Sequence, residues 1–107
     1  MVRWQGASGG WYIHSVYGMD EELPFESGNL VLVCPDGRGG FEPVWVDAFG
    51  PDQGRPNLRR LTAVHAGVTQ AHVHVLAKTA EERERITRDI QARYFGEIPR
   101  TQVSSAA

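Results

Sequence analysis

The sequence predicts a small α+β domain with a short antiparallel β-sheet, three strands and a candidate N-terminal strand, flanked by two or three helices. Three patterns predict this fold. Residues 28–50 contain two apolar runs joined by a turn rich in glycine. Residues 70–76 alternate strictly in polarity, as a strand does. Thr79 then begins a charged segment that has the signature of a helix N-terminus.

The N-terminal half predicts strands and loops in a clear order. Residues 11–17 alternate between two faces, which favours an extended segment. Residues 20–27 are acidic and contain Pro24, and they are typical of a loop. Two antiparallel strands follow, and their turn contains the residues that supply turn φ values: Pro35, Asp36, Gly37, Gly39 and Gly40.

The C-terminal half predicts a helix, a strand and a second helix. Apolar residues fall at helical spacing over residues 58–66, before Gly67. Residues 70–76 read QAHVHVL and are typical of a half-buried strand. In the last helix Thr79 and Glu82 have capping-box spacing, and Asp89 is spaced to pair with Arg93.

Composition predicts a single folded domain. The chain has 107 residues, of which 41% are hydrophobic and 22% charged. These values are ordinary for a globular protein. We expect a flexible N-terminus over residues 1–10, a domain over 11–101 and a disordered tail over 102–107. No run approaches the roughly 20 apolar residues of a membrane span, so we expect a cytoplasmic protein without membrane contact.

Charge and cysteine content limit the classes of function. The net charge is −2, with an acidic excess before residue 51 and a basic excess after it. Overall acidity argues against strong nonspecific nucleic-acid binding, which needs a dense basic patch, although a local patch stays open. Cys34 is the single cysteine and is expected to be a packing residue.

The order of elements over residues 20–99 resembles the GIY-YIG nuclease superfamily. Gly28-Asn29-Leu30 and Trp45-Val46-Asp47 occupy the places of its two motif triplets. The strand with the sequence AHVHV and the helix with the sequence TRDIQARY are similar to a small bacterial branch of that superfamily.

The resemblance also implies which groups are replaced. Active members use two tyrosines, an arginine and a helical glutamate that holds a divalent cation. At the matching positions this chain has Leu30 and Trp45 for the tyrosines, Asp47 for a motif glycine, Arg60 (or Arg59) for the arginine, and Thr87 for the glutamate. Leucine and tryptophan cannot accept a proton from water, and threonine is a poor sole ligand for Mg²⁺. The expectation is an inactive domain without a cofactor.

His72 and His74 lie two apart on a predicted strand, so both rings point to one face. We expect solvent-facing histidines, with a metal pair as the alternative. A metal site would need a third ligand, for which His14, His65 and Asp47 are the candidates.

Three functions remain open. The first is a catalytically inactive binding module related to nucleic acid. Its candidate contacts are Arg59, Arg60 and Trp45, and Trp45 and Trp11 with Tyr12 are a candidate stacking platform for bases. The second is a protein-interaction or homodimerisation domain, with Trp11, Trp45 and Phe49 as interface residues. The third is a divergent enzyme with a divalent metal at His72 and His74.

Overall fold

The computed structural model of the protein describes residues 1–96, which form one five-stranded antiparallel sheet and two helices. In chain order the elements are β1 (Val2–Gln5), β2 (Trp11–Gly18), β3 (Gly28–Pro35), β4 (Phe41–Phe49), α1 (Leu58–Val64), β5 (Gln70–His74) and α2 (Ala80–Phe95). The strand order is β1-β2-β5-β3-β4, and every neighbouring pair is antiparallel. The predicted α+β class is confirmed. The expectations for residues 97–107 lie outside the described residues.

The predicted hairpin is the β3–β4 pair. The carboxylate of Asp36 accepts hydrogen bonds from the backbone N–H groups of Arg38 and Gly40, at 2.7 and 3.0 Å. Gly37 and Gly39 adopt φ values of +81° and +87°, which glycine reaches without steric cost. The turn therefore closes through the residue types that predicted it.

Residues 1–10, expected to be flexible, contain strand β1. Val2–Gln5 pairs with residues 11–14 of β2, and the turn between them closes with a hydrogen bond of 2.8 Å from Gly6 N to Gly10 O. The glycines thus make a hairpin turn rather than a disordered lead. Trp4 is buried, so this strand adds apolar surface to the core.

Strand β5 lies in the middle of the sheet, between β2 and β3. Its residues 71–74 are buried on both faces, so the predicted half-buried strand is wrong. The alternation of histidine with apolar residues indicated one exposed face, but histidine can also be buried when its ring nitrogens are hydrogen-bonded.

Each face of the sheet has its own core. We call the side under α1 and the loop of residues 19–27 the α1 face; it buries Leu30, Leu32, Phe49, Leu58 and Val73, among others. We call the side under α2 the α2 face; it buries Trp4, Val31, Val33, Val46, Ile86 and Ile90, among others. Alternate residues of one strand therefore serve two different environments.

Helix α2 begins and ends as predicted. The Thr79 hydroxyl oxygen accepts from the Glu82 backbone N–H at 3.1 Å, and Glu82 reaches back toward Lys78 N, at 3.3 Å. Gly96 follows the last helical residue with a φ of 78°. Among residues 1–96, neither helix is long and apolar enough to cross a membrane.

The sheet curls so that the β1–β2 hairpin reaches α2. The carboxylate of Asp89 accepts hydrogen bonds from Ser8 N (2.9 Å), Ser8 Oγ (2.6 Å) and Tyr12 Oη (2.7 Å). Asp89, predicted to pair with Arg93, thus binds the N-terminal hairpin. The ionised carboxylate makes these bonds stronger than neutral ones.

We predict that Gly6→Ala destabilises the protein by about 1–3 kcal/mol, because its Cβ would collide with the Asp89 carboxylate and break the bonds to Ser8 and Tyr12. Urea unfolding followed by tryptophan fluorescence measures the effect. Gly10→Ala, in the same turn, is the matched control, since its Cβ would meet Tyr12 Oη at an ordinary 3.4 Å. Equal stability of both variants would contradict the proposed contact.

Candidate functional site

Four of the positions singled out by the sequence meet in one cleft on the α1 face. Leu30, Trp45, Asp47 and Arg60 line a cleft of about 280 Å³ between β4 and α1, which we call the β4–α1 cleft. Arg55 also lines it. It therefore combines an apolar floor, an indole, a carboxylate and two guanidinium groups.

Sheet register and a helix cap place these side chains. Asp47 lies opposite Leu30, and Trp45 opposite Leu32, so all four residues point to the α1 face. Asn57 caps the N-terminus of helix α1, and its side-chain oxygen accepts from the Arg60 backbone N–H at 3.1 Å. This cap fixes the first turn of α1 and places Arg60 at the cleft.

A second cleft adjoins the first. It measures about 630 Å³ and shares residues 55–57 with the β4–α1 cleft. We call it the acidic-loop cleft because Asp20, Glu21 and Glu22 line it, together with Arg55 and Arg59. Arg59 and Arg60, although adjacent in sequence, thus face two different clefts, and the joined surface carries charges of both signs.

Asp47 is an unusual carboxylate within this surface. Burial raises its pKa above the ordinary value, the Ala48 backbone N–H opposes that shift, and the charge of Glu84 adds to it. The bond from Ala48 N measures 2.8 Å. Since burial and an acidic neighbour both penalise the ionised form, a cationic group brought by a ligand would stabilise it.

Thr87 lies on the opposite side of the sheet from the cleft. It is buried on the α2 face, where its hydroxyl accepts a hydrogen bond of 2.9 Å from Asn29 Nδ2. The same amide group donates to Arg83 O at 2.7 Å. The five positions that the resemblance predicted to share one site are therefore divided by the sheet, and Asn29 is the β3 residue that contacts Thr87.

The prediction that His72 and His74 face solvent is wrong, because both are buried on the α2 face. Trp4 Nε1–H donates to His72 Nδ1 at 3.0 Å, so Nδ1 carries the lone pair and Nε2–H donates to Gln70 Oε1 at 2.9 Å. Both ring nitrogens of His72 are therefore occupied. It is a satisfied structural histidine and offers no free electron pair to a metal.

His14 and His74 have the other tautomer. Their Nδ1 atoms lie 2.9 Å from Tyr12 O and 2.7 Å from Ile13 O. Because a carbonyl oxygen only accepts, each Nδ1 must carry the hydrogen and each Nε2 the lone pair. The two rings lie 5.4 Å apart between centroids. The histidine pair that the fold assembles is therefore His14 with His74.

Two buried acceptors on this face have no hydrogen-bond donor, namely His14 Nε2 and Asn29 Oδ1. The sequence pointed to His14 only as a candidate third ligand of a metal, and it did not mark Asn29 as a site residue. The one sequence signal for Asn29 is its position, because an asparagine in an otherwise apolar strand is disfavoured unless its amide is hydrogen-bonded.

Burial lowers the pKa of two of these histidines. The pKa of His14 falls to about 3 because burial penalises the imidazolium, an effect partly opposed by the Tyr12 carbonyl. The pKa of His72 falls to about 4, mainly through burial and secondarily through the positive N-terminus. Both are neutral at physiological pH.

Several other predicted groupings are not assembled. Trp11 is 58% exposed on β2, whereas Trp45 lines the cleft, and Tyr12 binds Asp89 on the α2 face, so the stacking platform is wrong. Phe49 is buried and unavailable to an interface. Within residues 1–96, no group of three or more His, Cys, Asp or Glu side chains is placed to hold a metal ion.

Comparisons with known proteins identify no relative. The chain matches no protein-family model, no curated protein and no solved structure.

We predict that acid destabilises the fold through His14 and His72. Their pKa values are lowered on folding, so the stability is complete above the ordinary value of 6.5 and is lost as the pH falls from there toward about 4 and about 3. Each histidine should lower the free energy of unfolding by about 1.4 kcal/mol per pH unit in this window. Urea unfolding at a series of pH values measures the slope.

The matched controls change one histidine at a time. His72→Gln keeps an acceptor for Trp4 and should remove about half of the slope, whereas His65→Gln, on a partly exposed residue after α1, should leave it unchanged. The pKa of Asp89 is lowered from its ordinary value of 3.8, so the stability that it contributes is lost only from about that pH downward, at the acid end of the window. A flat stability profile from neutral pH down to about one unit below 6.5 would refute the neutral buried histidines.

Proposed function

We propose that this protein is a binding module without nuclease activity, and that its ligand is a polypeptide segment held in the β4–α1 cleft. The observation that carries the proposal is the mixed charge of the two joined clefts beside a partly exposed indole. Asp20, Glu21, Glu22 and Asp47 supply negative charge, whereas Arg55, Arg59 and Arg60 supply positive charge.

Mixed charge favours a polypeptide over a polyanion. A nucleic acid presents a uniform row of phosphates, and the acidic wall would repel it. A polypeptide can offer an ammonium or guanidinium group to Asp47 and a carboxylate to Arg60, with an apolar side chain on Trp45. Aromatic and arginine side chains are enriched among the residues that dominate binding energy.

We also propose that the domain has a degenerate GIY-YIG-like fold. The β3–β4 hairpin is followed by α1, β5 and α2, which is the order that the resemblance implies. The absence of nuclease activity is supported by the residue types at positions 30, 45 and 87, and by the location of Thr87 across the sheet from Trp45. With no carboxylate at position 87, a Mg²⁺ ion lacks the ligand it prefers.

Nucleic acid is the alternative ligand, and the observation that favours it is the location of Trp45 beside Arg60 in the cleft. Base stacking on an aromatic ring next to a cation is a common mode of single-strand binding.

Homodimerisation has separate support. Trp11 and Ile13 are 58% and 46% exposed on the part of the α1 face that α1 does not cover. Light scattering of the protein and of Ile13→Lys would detect such a dimer.

We predict that peptides selected from a random phage-displayed library bind the protein and lose at least tenfold in affinity, about 1.4 kcal/mol, on Arg60→Glu. Arg60 is exposed, so reversing its charge leaves the fold intact. Trp45→Ala should have a similar effect through loss of the indole. Fluorescence polarisation measures both, and Trp11→Ala, an exposed tryptophan outside the cleft, is the control.

The same assay with a labelled single-stranded oligonucleotide separates the alternatives. Binding that falls steeply with salt and is lost in the Arg59→Ala/Arg60→Ala double variant would favour nucleic acid and contradict the peptide proposal. Incubation of plasmid and single-stranded DNA with Mg²⁺ or Mn²⁺ should give no cleavage. Metal-dependent nicking that Arg60→Ala abolishes would refute the inactive module.

A further inference from the structure

We propose that His14, His74 and Asn29 form a binding site for one transition-metal ion of the zinc and cobalt class on the α2 face. The site is independent of the β4–α1 cleft, which lies on the other side of the sheet.

Sheet register brings the three residues together. Asn29 on β3 lies directly opposite His74 on β5. On the other side of β5, the pairing of Ser15 with Val73 places His14 opposite His74 in the next step of the antiparallel ladder. Residues directly opposite each other project to the same face with Cβ atoms about 5 Å apart. The three side chains therefore form one row across three strands.

The free electron pairs of this row follow from its hydrogen bonds. The Nδ1–H groups of His14 and His74 are held by backbone carbonyls, which leaves both Nε2 atoms as acceptors. The amide NH₂ of Asn29 donates to Arg83 O and Thr87 Oγ1, so its Oδ1 is also an acceptor. His14 Nε2 and Asn29 Oδ1 are buried without a donor. A group that accepts electron pairs would satisfy both.

The arrangement has the features of imidazole ligands. Histidines that bind a metal through Nε2 commonly donate Nδ1–H to a carbonyl or carboxylate, which fixes the tautomer and the ring orientation. Two imidazoles on one tetrahedral ion, with metal–nitrogen bonds near 2.0–2.1 Å, have ring centroids roughly 5 Å apart. The centroids of His14 and His74 are separated by 5.4 Å.

The chemistry of the donors selects the class of ion. Two imidazoles and an amide oxygen suit zinc, cobalt, nickel or copper, whereas Mg²⁺ and Ca²⁺ prefer several carboxylates. A set of neutral protein ligands is compatible with Zn²⁺, as in three-histidine zinc sites, where a water or hydroxide completes the coordination. The competing occupant is a buried water that donates to His14 Nε2 and Asn29 Oδ1.

The first test uses the unaltered protein, freed of its purification tag and treated with chelator. Titration with Zn²⁺ should saturate at one equivalent by calorimetry, and Co²⁺ should give the visible absorption of a tetrahedral site. Long-range ¹H–¹⁵N spectra should show that Zn²⁺ shifts the Nε2 resonances of His14 and His74 and leaves those of His72 and His65 in place.

Two variants sharpen the test. Asn29→Asp places a carboxylate at the third ligand but removes the two hydrogen bonds that the amide donates to Arg83 O and Thr87 Oγ1, so its fold is checked by circular dichroism. The folded variant should bind Zn²⁺ at least tenfold more tightly, an effect that a merely structural asparagine would not produce. His65→Gln is the control and should bind as the unaltered protein does. The proposal is overturned if no saturable one-to-one binding occurs, if the shifts appear at His65 or His72 instead, or if a crystal grown with Zn²⁺ holds only a water in the row.

Discussion

The structure depends on satisfying polar groups that the sheet carries under α2. His14, Asn29, His72, His74 and Thr87 are all buried there, and burying an unpaired polar group costs more than its hydrogen bond contributes when made. The Trp4–His72 bond joins the first strand to the central one, and Asn29 joins the sheet to α2. These bonds require the β1–β2 hairpin and α2 to be in place together, so the buried polar side chains link the edge of the sheet to the helix.

The two faces of the sheet consequently have different properties. The α2 face is a closed layer whose polar groups bind mainly one another and the backbone, whereas the α1 face opens into two clefts with charged walls. Period-two alternation sends Leu30 to one face and Asn29 to the other. A constellation that needs residue 30 and residue 87 on the same side of the sheet cannot form here, because Leu30 lies on the α1 face and Thr87 on the α2 face.

Local signals predicted much of the fold. The Asp36 turn, the Thr79 cap and the strand at residues 70–74 are determined by neighbours within a few residues, so local sequence patterns were enough to predict them. The cluster of Leu30, Trp45, Asp47 and Arg60 was also accessible, because it follows from the hairpin and the helix start. The central position of β5 and the role of Asp89 were not accessible, since Ser8 and Tyr12 meet Asp89 only after the chain has curled back on α2. The alternating positions of His72 and His74 led to a wrong prediction of solvent exposure. A period of two shows which residues share a face of the sheet but not whether that face is covered.

The measurement that tests the account most directly is the tautomeric state of the buried histidines by ¹⁵N spectroscopy of the imidazole rings. The structure requires His72 to carry its hydrogen on Nε2 and His14 to carry its hydrogen on Nδ1. Both should remain neutral at a pH about one unit below the ordinary histidine value of 6.5. Imidazolium signals from either ring at that pH, or a rapidly exchanging mixture of tautomers, would contradict the closed α2 face.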